Sequence, residues 1–346
     1  MLMFVQNLGK KQFVVCLKIG VAAVIVWYLF YSRRLTVDIF SQLLNPAHLP
    51  LLFMSGAAFI VAQMLAAYRL VLLLRMIDLC LPFTHVFKLT MIGSFFNIVI
   101  PGMVGGDIVK GTYLFKSEED RRGRSSGIVL MDRLLGFVAL LFIGAVSIIY
   151  LYLRKRETLL PYINEFNKVF LTSIGVLMLF AIFVIFGKKR QFRVKAKAIA
   201  SVLFKKTIFY HMTDAIGALT KRRRVLAGAF CISLGVQAIA LAGLLVLIRL
   251  APGNHLPDIA ALTAVSSIVL LVGIIPVTPG NIGWTELVAS VGWSVVGSTA
   301  GGFIFLYWRI VNILFSLPGG LLYLLPGNDI LHRQAEATTP GETVQK

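Results

Sequence analysis

The sequence predicts an all-α polytopic membrane protein, with about six full spans and two re-entrant broken hairpins arranged as an inverted repeat. Three observations carry this. The chain of 346 residues is 58% hydrophobic and only 14% charged, too apolar for a soluble domain of that length. Its basic residues concentrate between apolar runs, as cytoplasmic loops do. Two of the apolar stretches carry proline and glycine in their middles.

Six stretches, 12–31, 50–74, 127–153, 168–187, 225–250 and 300–325, match the roughly 20 apolar residues that a bilayer crossing takes. The first follows Lys10 and Lys11 and has no clean small-residue cleavage site, so an uncleaved anchor is expected. Stretches 85–109 and 259–297 are hydrophobic but broken. The first break is "NIVIPGMVGGDIVKG" (Asn97 to Gly111), and the second holds Pro276, Pro279, Gly280 and Gly283. Residues 1–330 thus read as a single membrane domain, with repeat A at about 50–153, repeat B at about 225–325, and a polar tail at 331–346.

Charge orients the chain. The formal net charge is +19, and within 188–224 twelve Lys/Arg face only Asp214. With no zinc spacing or base-stacking motif beside it, this segment reads as a cytoplasmic loop against anionic lipid, not as a nucleic-acid surface. Loop 110–126, with Lys110, Lys116, Arg121, Arg122 and Arg124, falls on the same side, as do both termini, while 251–258 falls outside. Arg154, Lys155 and Arg156 go against the rule. Both ends of 85–109 are then cytoplasmic, which makes it re-entrant. Stretch 259–297 either re-enters from outside or crosses twice through two short spans joined at Pro276–Pro279, and loop charges do not separate these.

The halves share a register. Proline-Gly-any-aliphatic-Gly occurs at Pro101 and at Pro279, an offset of 178. Arg69 and Arg249 are 180 apart and Arg133 and Arg309 are 176 apart, bracketing that offset. Span, broken hairpin, span in opposite orientations is the layout of an inverted repeat.

Broken backbone at membrane depth is tolerated only against protein or around a wet cavity, and half-helix N-termini attract anions. Gly93, Gly136 and Gly175 suit tight helix packing. Gly102, Gly105 and Gly106, beside Pro101 and Asp107, point to a polar site. The charges add to this, because arginine inside a span is costly. Arg69 and Arg249 lie near span ends and can snorkel, and Arg133 adjoins Asp132, so an ordinary ion pair accounts for it nearly as well. Arg309, in "FIFLYWRIVNILF", is flanked by apolar residues on both sides. Asp107 and Glu286 each follow a glycine motif and are the candidate counter-ions. Arg69, Asp107, Arg133, Arg249, Glu286 and Arg309 would suit a zwitterionic or anionic headgroup, with guanidinium forking onto phosphate. Cys16, Cys80 and Cys231 are scattered, as are the five histidines, so neither a disulfide framework, a metal site nor a cofactor is expected.

"FFNIVIPGMVGGDIVK", "DRLLGF", "IPVTPGNIGWTELV" and "YWRI" resemble the lysylphosphatidylglycerol synthase transmembrane family, over nearly the whole chain. This is the flippase-like region of the multiple peptide resistance factor, which also occurs as stand-alone membrane proteins. The resemblance implies a lipid flippase-type fold with the glycine motifs near the transport path. It carries over to Asn97, Pro101, Gly102, Gly105, Gly106, Asp107, Arg133, Pro279, Gly280, Gly283 and Glu286. Asn281 and Trp284 stand where small residues are expected, which implies a narrower or lipid-selective pocket. Only a short polar tail follows Pro326, so the soluble aminoacyl-transferring domain is not expected, nor lysyl-lipid synthesis.

Three functions compete. The first is a transporter in a bacterial inner membrane that moves a phospholipid or related polar lipid between leaflets. The second is a membrane transferase on a lipid-linked substrate, with Asp107 or Glu286 as general base, although no catalytic constellation is visible. The third is a non-catalytic partner of a lipid or glycan synthase, docking through 188–224. Homo-oligomerisation is compatible with each.

Overall fold

A computed structural model describes residues 45–77, 79–99, 105–115, 122–154, 223–251, 258–274, 277–278 and 281–324, together with 171, 175 and 178. Eight helices are delimited: α1 (Leu49–Leu74), α2 (Phe83–Val99), α3 (Gly105–Phe115), α4 (Arg122–Arg154), α5 (Arg223–Val246), α6 (Ile259–Val272), α7 (Trp284–Val295) and α8 (Gly301–Leu324). No strand occurs among the described residues. Stretch 12–31, all of 168–187 except Leu171, Gly175 and Met178, the basic segment 188–222 and the tail 331–346 lie outside them.

Four helical segments are long and apolar enough to cross a membrane: Pro46–Ile77, Gly127–Arg154, Arg224–Leu250 and Gly301–Leu324. These are the expected spans 50–74, 127–153, 225–250 and 300–325. The 26 residues of α1 reach about 39 Å at 1.5 Å per residue, enough for a hydrocarbon core of about 30 Å. The 17, 11, 14 and 12 residues of α2, α3, α6 and α7 reach only roughly 26, 17, 21 and 18 Å. Both broken stretches are therefore pairs of short helices, neither of which crosses alone. The expected loop 110–126 is helical at both ends: Lys110 belongs to α3 and Arg122 opens α4. The apolar run at Tyr113 to Phe115 continues the helix past the lone Gly111.

The two breaks are built differently. In the first, Asn97 Oδ1 accepts from the backbone N–H of Gly106 at 2.9 Å, satisfying a donor that the start of α3 leaves orphaned. A Cβ on Gly106 would collide with the carbonyl of Gly93, so α2 and α3 touch backbone to backbone. In the second, Asn281 sits in the left-handed region at φ 55 and Gly283, the N-cap of α7, at φ 80. The Asn281 amide donates to the Gly273 carbonyl at the end of α6, and Thr278 Oγ1 donates to the Ile282 carbonyl at 2.8 Å.

The packed pairs of helices map onto themselves when α1–α4 are exchanged for α5–α8. α1 lies along α5. α2 packs on α8 as α6 packs on α4, α3 on α4 as α7 on α8, and α1 on α8 as α5 on α4. The hairpins pair α2 with α3 and α6 with α7. Two apolar clusters form, each centred on one half and reaching into the other through Leu226 and Ala229 or through Ile148 and Leu151. One gathers Leu70, Leu74, Ile128, Met131 and Leu135, and the other Val265, Trp293, Ile304, Phe305 and Tyr307. Small residues close the seam between the halves: a Cβ on Gly243 of α5 would come within 2.8 Å of Ala58 Cβ on α1. Phe53, Leu153 and Leu321 face outward, exposed, which suits a surface solvated by acyl chains.

Candidate functional site

Each short helix that follows a break carries a carboxylate at its third residue, Asp107 in α3 and Glu286 in α7. At that place the helix dipole favours negative charge. Each carboxylate is paired with an arginine of the next long helix. Arg133 Nε is 2.6 Å from Asp107 Oδ2 and Arg309 Nε is 2.5 Å from Glu286 Oε1. The pairs differ in access: Arg133 and Asp107 are 43% and 18% exposed, Arg309 and Glu286 20% and 2%. Arg309 does more than neutralise Glu286. Its Nη2 also donates to the Asn281 carbonyl at 2.8 Å, to Thr285 Oγ1 at 2.5 Å and to Glu286 Oε2 at 3.2 Å. The guanidinium therefore ties the second break to α8 with the fork geometry that arginine favours.

Between the two hairpins lies a cavity of about 260 Å³. Asn97 of the first break and Asn281 of the second both line it, and Gln63, Ser94, Thr285, Arg309, Asn312 and Ser316 are its other polar lining residues. Phe59, Leu270, Phe305 and Trp308 are among its apolar lining residues. Its chemistry is mixed: amide and hydroxyl groups and one guanidinium share the lining with rings and aliphatic carbons.

The other two arginines fall elsewhere. Arg69 does not snorkel. It is 5% exposed, with Nε 2.7 Å from Asp132 Oδ1 and Nη1 2.8 Å from Ser233 Oγ, so its guanidinium joins α1, α4 and α5. Asp132 accordingly pairs with Arg69 and not with its neighbour Arg133. Arg249 is exposed on the 3-10 turn Leu247–Leu250, and no bond joins it to Glu286 or Arg309. Pro101, Gly102, Pro279 and Gly280 lie outside the described residues.

A family model described as "Lysylphosphatidylglycerol synthase TM region" matches residues 15–320. The chain belongs to this family. Neither the curated proteins nor the solved structures compared with the chain contain a significant match.

The two large residues expected at the second break of this lysylphosphatidylglycerol synthase TM region are placed differently. Asn281 lines the cavity, whereas Trp284 turns its indole N–H toward the Val272 carbonyl at 3.5 Å. The tryptophan in the lining is Trp308. Sequence reasoning passed over Asn312 and Ser316, although the signal was there. Phe305, Arg309, Asn312 and Ser316 recur at helical spacing along α8 and present one cavity-lining stripe.

Proposed function

We propose that the protein moves a phospholipid or a related polar lipid between the leaflets of a bacterial inner membrane, with the headgroup passing through this cavity. The observation that carries the reading is one cavity lined jointly by Asn97, Asn281 and Arg309, that is, by both breaks and an ion-paired guanidinium. At about 260 Å³ it falls just below the range of pockets that enclose drug-sized ligands. It suits a headgroup whose acyl chains stay in the surrounding lipid. Asn312 Oδ1, buried without a hydrogen-bond partner among the described residues, is an acceptor that a headgroup hydroxyl or ammonium would satisfy after a small rotation.

We further infer that the halves are inverted in the membrane, with both termini cytoplasmic and 251–258 outside. The first ion pair then opens toward one leaflet and the second toward the other, as alternating access requires. Their unequal exposure supports a state open at Asp107–Arg133 and closed at Glu286–Arg309. The transferase reading has less support, because each candidate base already directs a carboxylate oxygen at an arginine.

The test is leaflet exchange of fluorescent phospholipid in proteoliposomes. Wild-type protein is expected to accelerate exchange over protein-free vesicles. Asn312→Phe, which fills the cavity and leaves both ion pairs in place, is expected to abolish that acceleration without loss of folded protein. Exchange by the wild type equal to that of empty vesicles, or by Asn312→Phe equal to the wild type, overturns the reading.

A further inference from the structure

Two carboxamides stand at the depth where polar side chains cost most. Gln63 and Asn312 fall within two residues of the middle of the helical segments Pro46–Ile77 and Gly301–Leu324, and both line the cavity between the breaks. A polar side chain at that depth either bridges helices or serves a ligand. Gln237 shows the first use, donating to the Gly136 carbonyl at 3.1 Å and so tying α5 to α4. The Oδ1 of Asn312 is not used in this way: it is buried without a hydrogen-bond partner among the described residues. Close contact between the cavity-lining helices is made by glycine instead. A Cβ on Gly56 of α1 would collide with the Phe315 ring of α8, and one on Gly319 of α8 with the Met91 carbonyl of α2.

The polar groups of the lining match hydroxyls. Ser94 and Ser316 donate to the Thr90 and Ile313 carbonyls of their own helices, at 3.0 and 2.9 Å, so toward a ligand their oxygens accept. Asn312 Oδ1 accepts as well. Asn97 accepts the Gly106 N–H with its Oδ1, so it offers a ligand the donors of its amide nitrogen. A hydroxyl both donates and accepts, whereas an ammonium only donates and an ionised phosphate only accepts. A charged group would also need an opposite charge in place of the water it leaves. Arg309 is in the lining, but its guanidinium is already bonded to Glu286, which is 2% exposed.

We infer that the cavity takes a neutral polyhydroxyl headgroup, the sugar ring of a glycolipid, and selects it over an ammonium or a bare phosphate headgroup. The rings of Phe305 and Trp308 in the lining give the C–H face of a sugar an apolar surface to lie on. The inference rests on the transport reading for the passage of the lipid and names the class of lipid that passes.

Competition between headgroups tests it. Full-length wild type, Asn312→Leu and Gln63→Leu are placed in nanodiscs of phosphatidylcholine. The discs carry equal minor shares of monoglucosyl diacylglycerol, phosphatidylethanolamine and phosphatidic acid, and retained lipid is counted by native mass spectrometry. A parallel arm titrates glucose against thermal stability in detergent. The wild type is expected to retain the glycolipid over the other two, and each variant to lose about tenfold of that preference, the worth of one hydrogen bond. Asn312→Leu is expected to melt no lower than the wild type in lipid-free detergent, because it removes a buried acceptor that has no partner. Stabilisation by glucose supports recognition of the sugar itself, and a response to the glycolipid alone supports recognition that needs the lipid anchor. Wild-type retention of phosphatidylethanolamine or phosphatidic acid at or above that of the glycolipid overturns the inference, as do variants that retain the glycolipid as the wild type does. Asn312→Leu melting well below the wild type makes the carboxamide a helix bridge and overturns it too. A glycolipid preference in a protein that exchanges no lipid leaves the binding class standing and removes only the transport reading, and exchange without that preference does the reverse.

Discussion

Glu286 lies under Arg309, with their oxygen and nitrogen 2.5 Å apart and the carboxylate 2% exposed. The carboxylate also accepts from Thr285 Oγ1 at 3.1 Å, so the pair belongs to a network that closes the second break onto α8. Asp107 and Arg133 repeat the pairing in the first half with far more access.

Arg309→Ala strands Glu286 as an unpaired buried charge, a change worth about 3–5 kcal/mol. The single mutant is expected to lose stability and transport together, so it does not separate them. Replacing both charges, as Glu286→Gln with Arg309→Met, is expected to recover most of the melting temperature while leaflet exchange stays lost. Recovery of exchange along with stability would show that the pair is only structural.

Arg69→Met is expected to destabilise by a similar few kcal/mol, because Asp132 and Ser233 lose the donor that joins α1, α4 and α5. The double change Arg69→Met with Asp132→Leu is expected to be milder than either single one, and to leave the lipid specificity of the remaining protein unaltered. Thermal unfolding in detergent, with lipid retention beside it, checks both statements.

Asn281 combines a left-handed backbone with an amide bonded to the Gly273 carbonyl. Asn281→Gly keeps the backbone state and removes the side chain from the cavity, so folded protein with a broader range of exchanged lipids is expected. Asn281→Val forces a β-branched residue to positive φ, at a cost of about 1–2 kcal/mol for the handedness alone. Loss of stability in Asn281→Gly as large as in Asn281→Val would deny the role of backbone handedness.

The shared cavity makes a proximity prediction. In a background with Cys16, Cys80 and Cys231 replaced, cysteines at positions 97 and 281 are expected to be joined by a short bifunctional thiol reagent, since both residues line one space. A spin label at 281 is expected to be quenched weakly by reagents confined to either side. Strong quenching from the cytoplasmic side would place the second break at that surface and remove the inverted arrangement.

The membrane class, the four described spans and the places where the hairpins break were legible in the sequence, because hydropathy, proline and glycine act locally. The register of Asp107 and Arg133 with Glu286 and Arg309 was also visible, since a repeat is written along the chain. Which charge meets which was decided only by the tertiary structure. Asp132 and Arg133 are adjacent in sequence, but successive helical side chains point about 100° apart. Asp132 therefore reaches Arg69, 63 residues away, and Arg133 reaches Asp107, 26 residues away. The same packing joins Arg69 to Asp132 and Ser233 at a helix junction and leaves Arg249 on the surface.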